Sequence, residues 1–539
     1  MAAQGGLAMT MARRDLSTMP ADTAAVGGRV LGEGDPYRVL GDRLADLITD
    51  DQFAELYDAR GRHAISPSVL ALVTLFQFVE DVPDREAARL VAVRLDWKYA
   101  LRLPLDASSF DFTCLCYFRQ RLLAHDRDRL VFDTLLGRLR DLGFVRARGK
   151  QRTDSLGVLG AVRALSELET VTETLRLAVR ALERAAPAWA ARALAPEFRE
   201  RCARQRPDYR LSAAERQAAL VAAGEDAAWL LGQVARAPAA VRDLEEAGLL
   251  RAVWAQRYER AADGEVLRRA EPAPCPERIV TPHDPEARAG EKRGRRWHGD
   301  KVHITETAEP VSPEAPNFIV DVTTASAASA DIEALPEIRQ RLIARDLAPA
   351  EHFVDSGYVS GKQLRDSRAA GIELVGPPLA DTSPAELKLA DFTIDRAARR
   401  ATCPAGHPSA KWSARADRDG SRAVNIQFAA AVCAACPLRP RCTTSQTGRS
   451  LHLSEHFELL QARRAEARTD AFRQRMHARP GVEATLSELV RAHGLRRHRY
   501  RGDRKRHFEH LLKAAACNLK RLLRALAART APAPAAAPA

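Results

Sequence analysis

No stretch of this sequence stays apolar long enough to cross a bilayer. The segment SVLALVTLFQFV (Ser68–Val79) is too short, and Glu80 and Asp81 close it. The N-terminal MAAQGGLAMTMARRDL lacks a signal-peptide core, because Arg13 and Arg14 interrupt it. A cytoplasmic protein without a membrane partner is therefore expected. Cysteine is scarce, with nine in 539 residues. In a cytoplasmic chain so few argue against a disulfide framework and leave thiol or metal roles. Acidic residues fall short of basic ones, 70 against 83, so the net charge is +13 and the pI is near 9.6. That imbalance points to a polyanion partner, most often nucleic acid. What is present, 46% hydrophobic and 28% charged residues, describes a globular chain of about three domains.

Residues 1–35 are Gly/Ala-rich and expected to be disordered, and 36–148 read as a helical domain. Ser66 and Pro67 make a cap and first-turn pair. Asp84–Leu101 starts on a capping residue and carries an apolar stripe at Leu90, Val93 and Trp97. Cys114 and Cys116 fall on different helix faces and read as core thiols. A short segment around Asp154 (149–160) precedes an Ala/Leu/Arg/Glu-rich helical region (161–270). Residues 271–380 open with the Pro-rich linker EPAPCPERIVTPHDPEA and then alternate. KVHITET and NFIVDVTTAS read as strands. A helix with a Ser cap follows at Ser329–Leu347, then the strand HFVDSGY, the helix SGKQLRDSRAAG and the strand GIELVGPPL. This is an α/β layer. Residues 381–455 read as irregular and Cys-bearing, 456–528 as helical, and 529–539 as a disordered Ala/Pro tail.

Three acids stand out. Asp355 ends the short apolar run in HFVDSGYVSGKQL, Asp154 lies before the long helical region, and Glu483 lies in RPGVEATLSELVRAHG. Singly, each has an ordinary explanation as a turn, loop or first-turn acid. In Glu483's segment Pro480 suits a first turn and Gly494 a C-cap. Jointly, acids at strand ends and on a packed helix suit phosphodiester chemistry. That chemistry needs carboxylates converging on two divalent ions about 3.5–4 Å apart. Hard oxygen ligands favour Mg²⁺.

Cys403, Cys433, Cys436 and Cys442 include one C-x-x-C half-site and form a candidate structural Zn²⁺ site, with His407 as a spare ligand. The alternative is four reduced thiols. From Arg491 to Arg524 twelve basic residues face only Asp503 and Glu509. Within that run Arg496, Arg497, Arg499, Tyr500, Arg501, Arg504, Lys505 and Arg506 are the candidate DNA contacts. The cluster at Glu291–Lys301 is a smaller one.

The stretches RTDSLGVLGAVRAL, HGDKVHITETAEP, HFVDSGYVSGKQL, ELVGPP, RPGVEATLSEL and LRRHRYRGDRKRHFEHLLKAAACNLKRLLRAL resemble the DDE transposases of bacterial insertion sequences. SPSVLALVTLFQF and CYFRQRLLAHD resemble that family's helical first domain. The resemblance implies an α/β protein with an RNase H-like catalytic core. Helical residues would be inserted after the first core strand, and a Cys-bearing insertion would precede the last core helix. It implies Asp154, Asp355 and Glu483 as ligands for Mg²⁺ or Mn²⁺, with Arg479 accompanying Glu483. It also implies nucleoid-associated double-stranded DNA as partner, at the element's ends and at the target, and a homodimer that joins two ends. The sequence departs from the family pattern at Met476 (usually Tyr), Val490 (usually Lys, with Arg491 next door), Asp300 (usually aromatic) and Leu156 (usually Thr). Two rival readings remain: a decayed DNA-binding protein, and a metal-dependent nuclease of the same fold.

Overall fold

The computed structural model describes residues 9–529 except 205–210, 272, 275–276, 293, 310–314, 381–384 and 418–419. The expected disordered tail lies outside the described residues apart from Arg529. So do residues 1–8 of the expected disordered N-terminus and Cys275 of the linker.

The strand runs read from the sequence, together with Arg288–Lys292, which was not read as a strand, assemble into one six-stranded mixed sheet. Its strands are β1 (Lys150–Leu159), β2 (Arg288–Lys292), β3 (Arg295–Thr307), β4 (Ile319–Ser326), β5 (Glu351–Phe353) and β6 (Glu373–Val375). The order is β6-β5-β1-β3-β2, with β4 also paired to β3. β3 runs antiparallel to β1, β2 and β4, and β5 runs parallel to β1 and β6. Val302, Ile304, Ile319, Val320 and Val322 are buried in it. Alternation in these β-branched runs puts their side chains against a core and holds the register. Four helices complete the layer: α1 (Asp331–Ala344), α2 (Gly361–Ala369), α3 (Gly481–Ala492) and α4 (Asp503–Ala528).

The N-terminal helices do not form a separate body. Ser66 caps the helix Pro67–Val79 by accepting from the Val69 N–H, as its sequence suggests. That helix shares one continuous apolar core with α4 and the sheet, running through Phe76, Leu135, Phe318, Leu486 and Leu519.

Several readings need correction. Residues 21–30 form a helix, because Thr23 donates to the Leu103 carbonyl at 2.6 Å and Gly27 lies against the Tyr99 ring. Helix Asp84–Val93 stops at Arg94 and leaves Val93 exposed. Asp84 is not its cap: it accepts from Gln77 and Arg119 instead. α1 begins at Asp331, and the Ser329 carbonyl accepts from Lys301 Nζ at 2.6 Å instead of capping it. Residues 161–270 hold helices capped by Ser166 and Ser212. They end in a hairpin, Tyr258–Arg260 with Val266–Arg268, rather than in helix. Residues 385–455 are not irregular: they form a hairpin and a three-stranded antiparallel sheet (Lys411–Ala416, Arg422–Gln427, Ser450–Ser454). Short strands of mixed polarity, with few apolar alternations, hid them. Among the described residues no helix is long and apolar enough to cross a membrane.

Candidate active site

The sheet register sets the two aspartates side by side. β5 runs parallel to β1 with Arg152 opposite Phe353. Two residues further on, the same register brings Asp154 level with Asp355. Adjacent strands are about 4.8 Å apart. β5 ends at Phe353, so Asp355 is free to turn toward its neighbour.

The sequence DSGY supplies the local support. The Asp355 carboxylate accepts from the Gly357 N–H at 2.8 Å and caps the turn Ser356–Tyr358. Gly357 has no side chain because one would sit 3.1 Å from Asp355 Oδ1 and 3.4 Å from Asp331 Oδ2. Tyr358 is fully buried, and its hydroxyl lies 2.6 Å from His303 Nδ1 on β3. Burial holds His303 down at about 4, so its ring is neutral and packs as part of the core. One oxygen of Asp355 holds the turn, and the other lies 3.7 Å from Arg479 Nη2.

α3 is fixed to the sheet by a buried charge cluster. Arg152 on β1 donates to Glu306 Oε1 on β3 at 2.7 Å and to the Ala478 carbonyl at 2.7 Å. Glu306 also accepts from Thr485 on α3 at 2.5 Å and pairs with Arg521 on α4 at 3.3 Å. A side chain at Gly481 would fall 2.0 Å from Arg152 Nη1, so glycine lets the helix start against the sheet. Val482, Leu486 and Leu489 are buried, and Glu483 in the first turn stays mostly exposed. Gly494, with φ +62°, ends the helix as its sequence suggests.

These supports converge on one guanidinium. Arg479 Nη2 lies 2.7 Å from Asp154 Oδ2 and 3.7 Å from Asp355 Oδ2, and Nη1 lies 2.8 Å from Glu483 Oε1. All three acids named from the sequence thus meet at Arg479, the fourth residue named with them. Asp154 is 7% exposed. Burial pushes its carboxyl above the usual range, and the nearby Arg479 only partly offsets this. Its other oxygen accepts from the Ser155 N–H at 2.8 Å. The donor set is three carboxylates with hard oxygens, the ligand type that suits a divalent ion; Arg479 stands between them, and their oxygens do not all lie within 4.8 Å of one another.

Asp331 at the start of α1 was not read as a site residue. Its carboxylate accepts from Ser155 Oγ at 3.0 Å and pairs with Lys301 at 2.9 Å and Lys292 at 3.9 Å. Burial pushes its carboxyl up, but Lys301 pulls it below the usual range. In sequence it reads as a first-turn acid, and only the fold places it beside Gly357. The departures are accounted for locally. Met476 packs with Phe353, Val375 and Phe472, and Val490 packs on the main core. Arg491 donates to Ser487 on its own helix. Leu156 also packs against the main core. Asp300 is buried and accepts from Arg506 at 2.5 Å.

The basic segment divides in two. Arg496, Arg497, Arg501, Arg504 and Lys505 are exposed. Arg504 donates to the Leu123 carbonyl, and Arg499 donates to the Val82 carbonyl and lies over the Phe78 ring. Tyr500 is half-buried beneath Arg119. Arg506 is a correction to the sequence reading: it is fully buried, donates to Asp284 and Asp300, and cannot reach phosphate. Lys513 and Arg521 are buried as well, with Glu509 and with Glu306 and Glu488. The concentration of charge in the sequence was real, but acids from distant segments consume part of it. The hairpin β2–β3 carries the smaller basic cluster, and there Lys292 faces Asp331.

The four cysteines of residues 385–455 line one small cavity with Phe392 and Phe428. Cys114 and Cys116 are half-buried in the N-terminal helices, and Cys116 Sγ donates to Asp84 at 3.1 Å.

Two family models match the chain. A transposase DDE domain matches residues 402–523 and so includes Glu483 but neither aspartate. A transposase domain (DUF772) matches residues 28–121 in the N-terminal helices. No curated protein and no solved structure matches. The matched DDE domain implies an RNase H-like core, which the mixed sheet and its helices fit. With one transposase domain toward each end, the two matches support a DDE transposase of the insertion-sequence type.

Proposed function

We propose that the chain cuts and rejoins phosphodiester bonds at the ends of its own element, with Asp154, Asp355 and Glu483 as the divalent-metal ligands. The observation that carries this reading is the meeting of those three carboxylates, 325 residues apart between Asp154 and Arg479 alone, at a single guanidinium. Mg²⁺ held there would supply Lewis acidity to the attacking and leaving oxygens.

The chain's own groups have separable tasks. The Gly357 N–H and the Ser155 N–H orient Asp355 and Asp154. The charge cluster around Glu306 orients Glu483 by holding α3. Arg479 neutralises the three acids, and its planar guanidinium is suited to phosphate oxygens once they are otherwise balanced. Exposed Arg496, Arg497, Arg501, Arg504 and Lys505 contact the DNA backbone, with Arg499 and Tyr500 setting the segment against the N-terminal helices. Those helices bind the element's ends. Joining two ends calls for a homodimer.

The test is Mg²⁺-dependent nicking and strand transfer on DNA carrying the element's ends. Nicking and joining, both lost in Asp154→Asn and Glu483→Gln, is the expected result. Cutting without joining would make the protein a nuclease. Salt-sensitive binding without cutting would make it a non-catalytic DNA-binding protein.

A further inference from the structure

Residues 385–455 bury few large apolar side chains: Phe392, Ile426, Phe428, Leu451 and Leu453 form most of their core. A unit of this size usually needs a further staple. Cys403, Cys433 and Cys442 pack against that core, and Cys436 joins them around the same cavity.

The backbone around two of these sulfurs has the form of a ligand turn. Cys403 follows the strand Arg400–Thr402 and opens a tight loop in which Gly406 has φ +82°. The Cys403 N–H donates to the His407 carbonyl at 2.9 Å, and the His407 N–H donates back to Cys403 Sγ at 3.4 Å. On the other side the Arg449 N–H donates to Cys433 Sγ at 3.5 Å. Backbone N–H groups aimed at sulfur are the kind of second contact that orients a metal ligand. Cys433 and Cys436 lie on and just after the helix Ala430–Ala434, and Cys442 ends the short helix Arg439–Cys442, so three sulfurs come from one compact turn. One rival cluster exists. Among the described residues Glu488, His493 and Cys517 place three ligand atoms within 4.8 Å of one another. Glu488 there is already held by Arg521 at 2.8 Å. The four thiols are not held by such an ion pair; they line one cavity, and closing to coordinating distance would take side-chain rotation on their turns and short helices.

The same unit is joined to the segment that carries Asp355. Its last strand, Ser450–Ser454, leads to His456. A side chain at Gly361 of α2 would fall 2.6 Å from His456 Cβ, and Arg365 Nη1 lies 3.0 Å from His456 Nε2. Leu460 of the following helix packs on the cluster of Val354, Tyr358 and Leu364.

We infer that Cys403, Cys433, Cys436 and Cys442 bind one Zn²⁺ in tetrahedral thiolate coordination, and that this ion stiffens residues 356–369 next to the active site. Four soft sulfur ligands suit zinc and exclude a hard-ion site. The site is separate from the carboxylate cluster, and its test does not depend on DNA cleavage. Elemental analysis of the full chain should find one zinc per chain. Exchange with Co²⁺ should give thiolate-to-metal charge-transfer absorption, which Cys433→Ser/Cys436→Ser loses and Cys116→Ser keeps. Hydrogen exchange of intact protein before and after chelation should rise in residues 356–369. If the double variant does not fold, the wild-type Co²⁺ spectrum and the chelation experiment still decide. Protein expressed with zinc but carrying none, or Co²⁺ bound without sulfur absorption, overturns the site. Unchanged exchange in 356–369 after chelation overturns the coupling.

Discussion

Arg506→Met should separate structural charge from the charge proposed to contact DNA within one basic segment. Arg506 has no exposed surface and lies between Asp284 and Asp300, themselves 1% and 2% exposed, with Asp503 on its outer side. Removing the guanidinium leaves buried Asp284 with only the Gly502 N–H at 3.2 Å and buried Asp300 with His498 at 3.2 Å. Breaking a buried pair in this way costs roughly 3–5 kcal/mol, a large part of the roughly 5–15 kcal/mol that holds a folded domain together. Urea unfolding should therefore shift strongly. Adding Asp284→Asn and Asp300→Asn should recover part of the loss, because a neutral cluster of the same shape avoids the unpaired charges. Binding to DNA should behave differently. Each phosphate contact contributes about 0.9 to the slope of log K against log salt. Folded Arg506→Met should keep the wild-type slope, whereas Arg497→Ala, at an exposed position, should lower it by about one contact. An Arg506→Met protein of wild-type stability with a reduced salt slope would refute the reasoning.

Asp154→Asn should abolish Mg²⁺-dependent nicking yet make the metal-free chain more stable at neutral pH. Burial raises this carboxyl in the folded state, so the ionised form costs stability above that raised value. The advantage of the variant should shrink as pH falls through it, which thermal melts at a series of pH values would read. Tyr358→Phe takes from His303 Nδ1 the hydroxyl it meets at 2.6 Å. It should cost about 1–3 kcal/mol in denaturant unfolding and lower nicking through the loosened Asp355 turn. Gly376→Ala would place a Cβ 2.8 Å from the Val354 carbonyl oxygen and from Val359 Cγ2. Its expected cost is about 1–3 kcal/mol, while Gly137→Ala, in open space on a helix, should be neutral or stabilising.

Much of the site could be read from the sequence because its parts carry local signatures. The β-branched alternation of KVHITET and the apolar run before Asp355 mark strands, and Pro480 and Gly494 bracket the helix of Glu483. What could not be read depends on contacts between distant segments. Asp284 lies in a Pro-rich stretch that looks like a solvated linker, yet it is buried with Arg506, 222 residues away. Asp331 looks like any first-turn acid until β1 places Ser155 against it. The helix Ala21–Val30 has a weak apolar pattern, and it is held by Tyr99 and Leu103 of the N-terminal bundle instead.

A DNA path along β1 is the expectation set by where the basic segment meets the sheet. The Leu159 N–H donates to the Arg496 carbonyl at 3.1 Å, and the His498 N–H donates to the Leu159 carbonyl at 2.9 Å. Arg496 and Arg497 are therefore fixed to the far end of β1, five residues beyond Asp154 on the same strand. At about 3.4 Å per residue this is roughly 17 Å. A duplex advances about 3.4 Å per base pair, so a helix lying along β1 would meet these arginines about five base pairs from the bond being cut. The shared core of the N-terminal helices and α4 allows little relative movement, so that spacing should be constant. Ethylation interference on an end-bearing duplex should thus give a phosphate cluster about five base pairs from the nick, and Arg496→Ala/Arg497→Ala should erase that cluster alone. Interference confined to phosphates adjoining the nick, or unaffected by the double variant, would contradict a DNA path along β1.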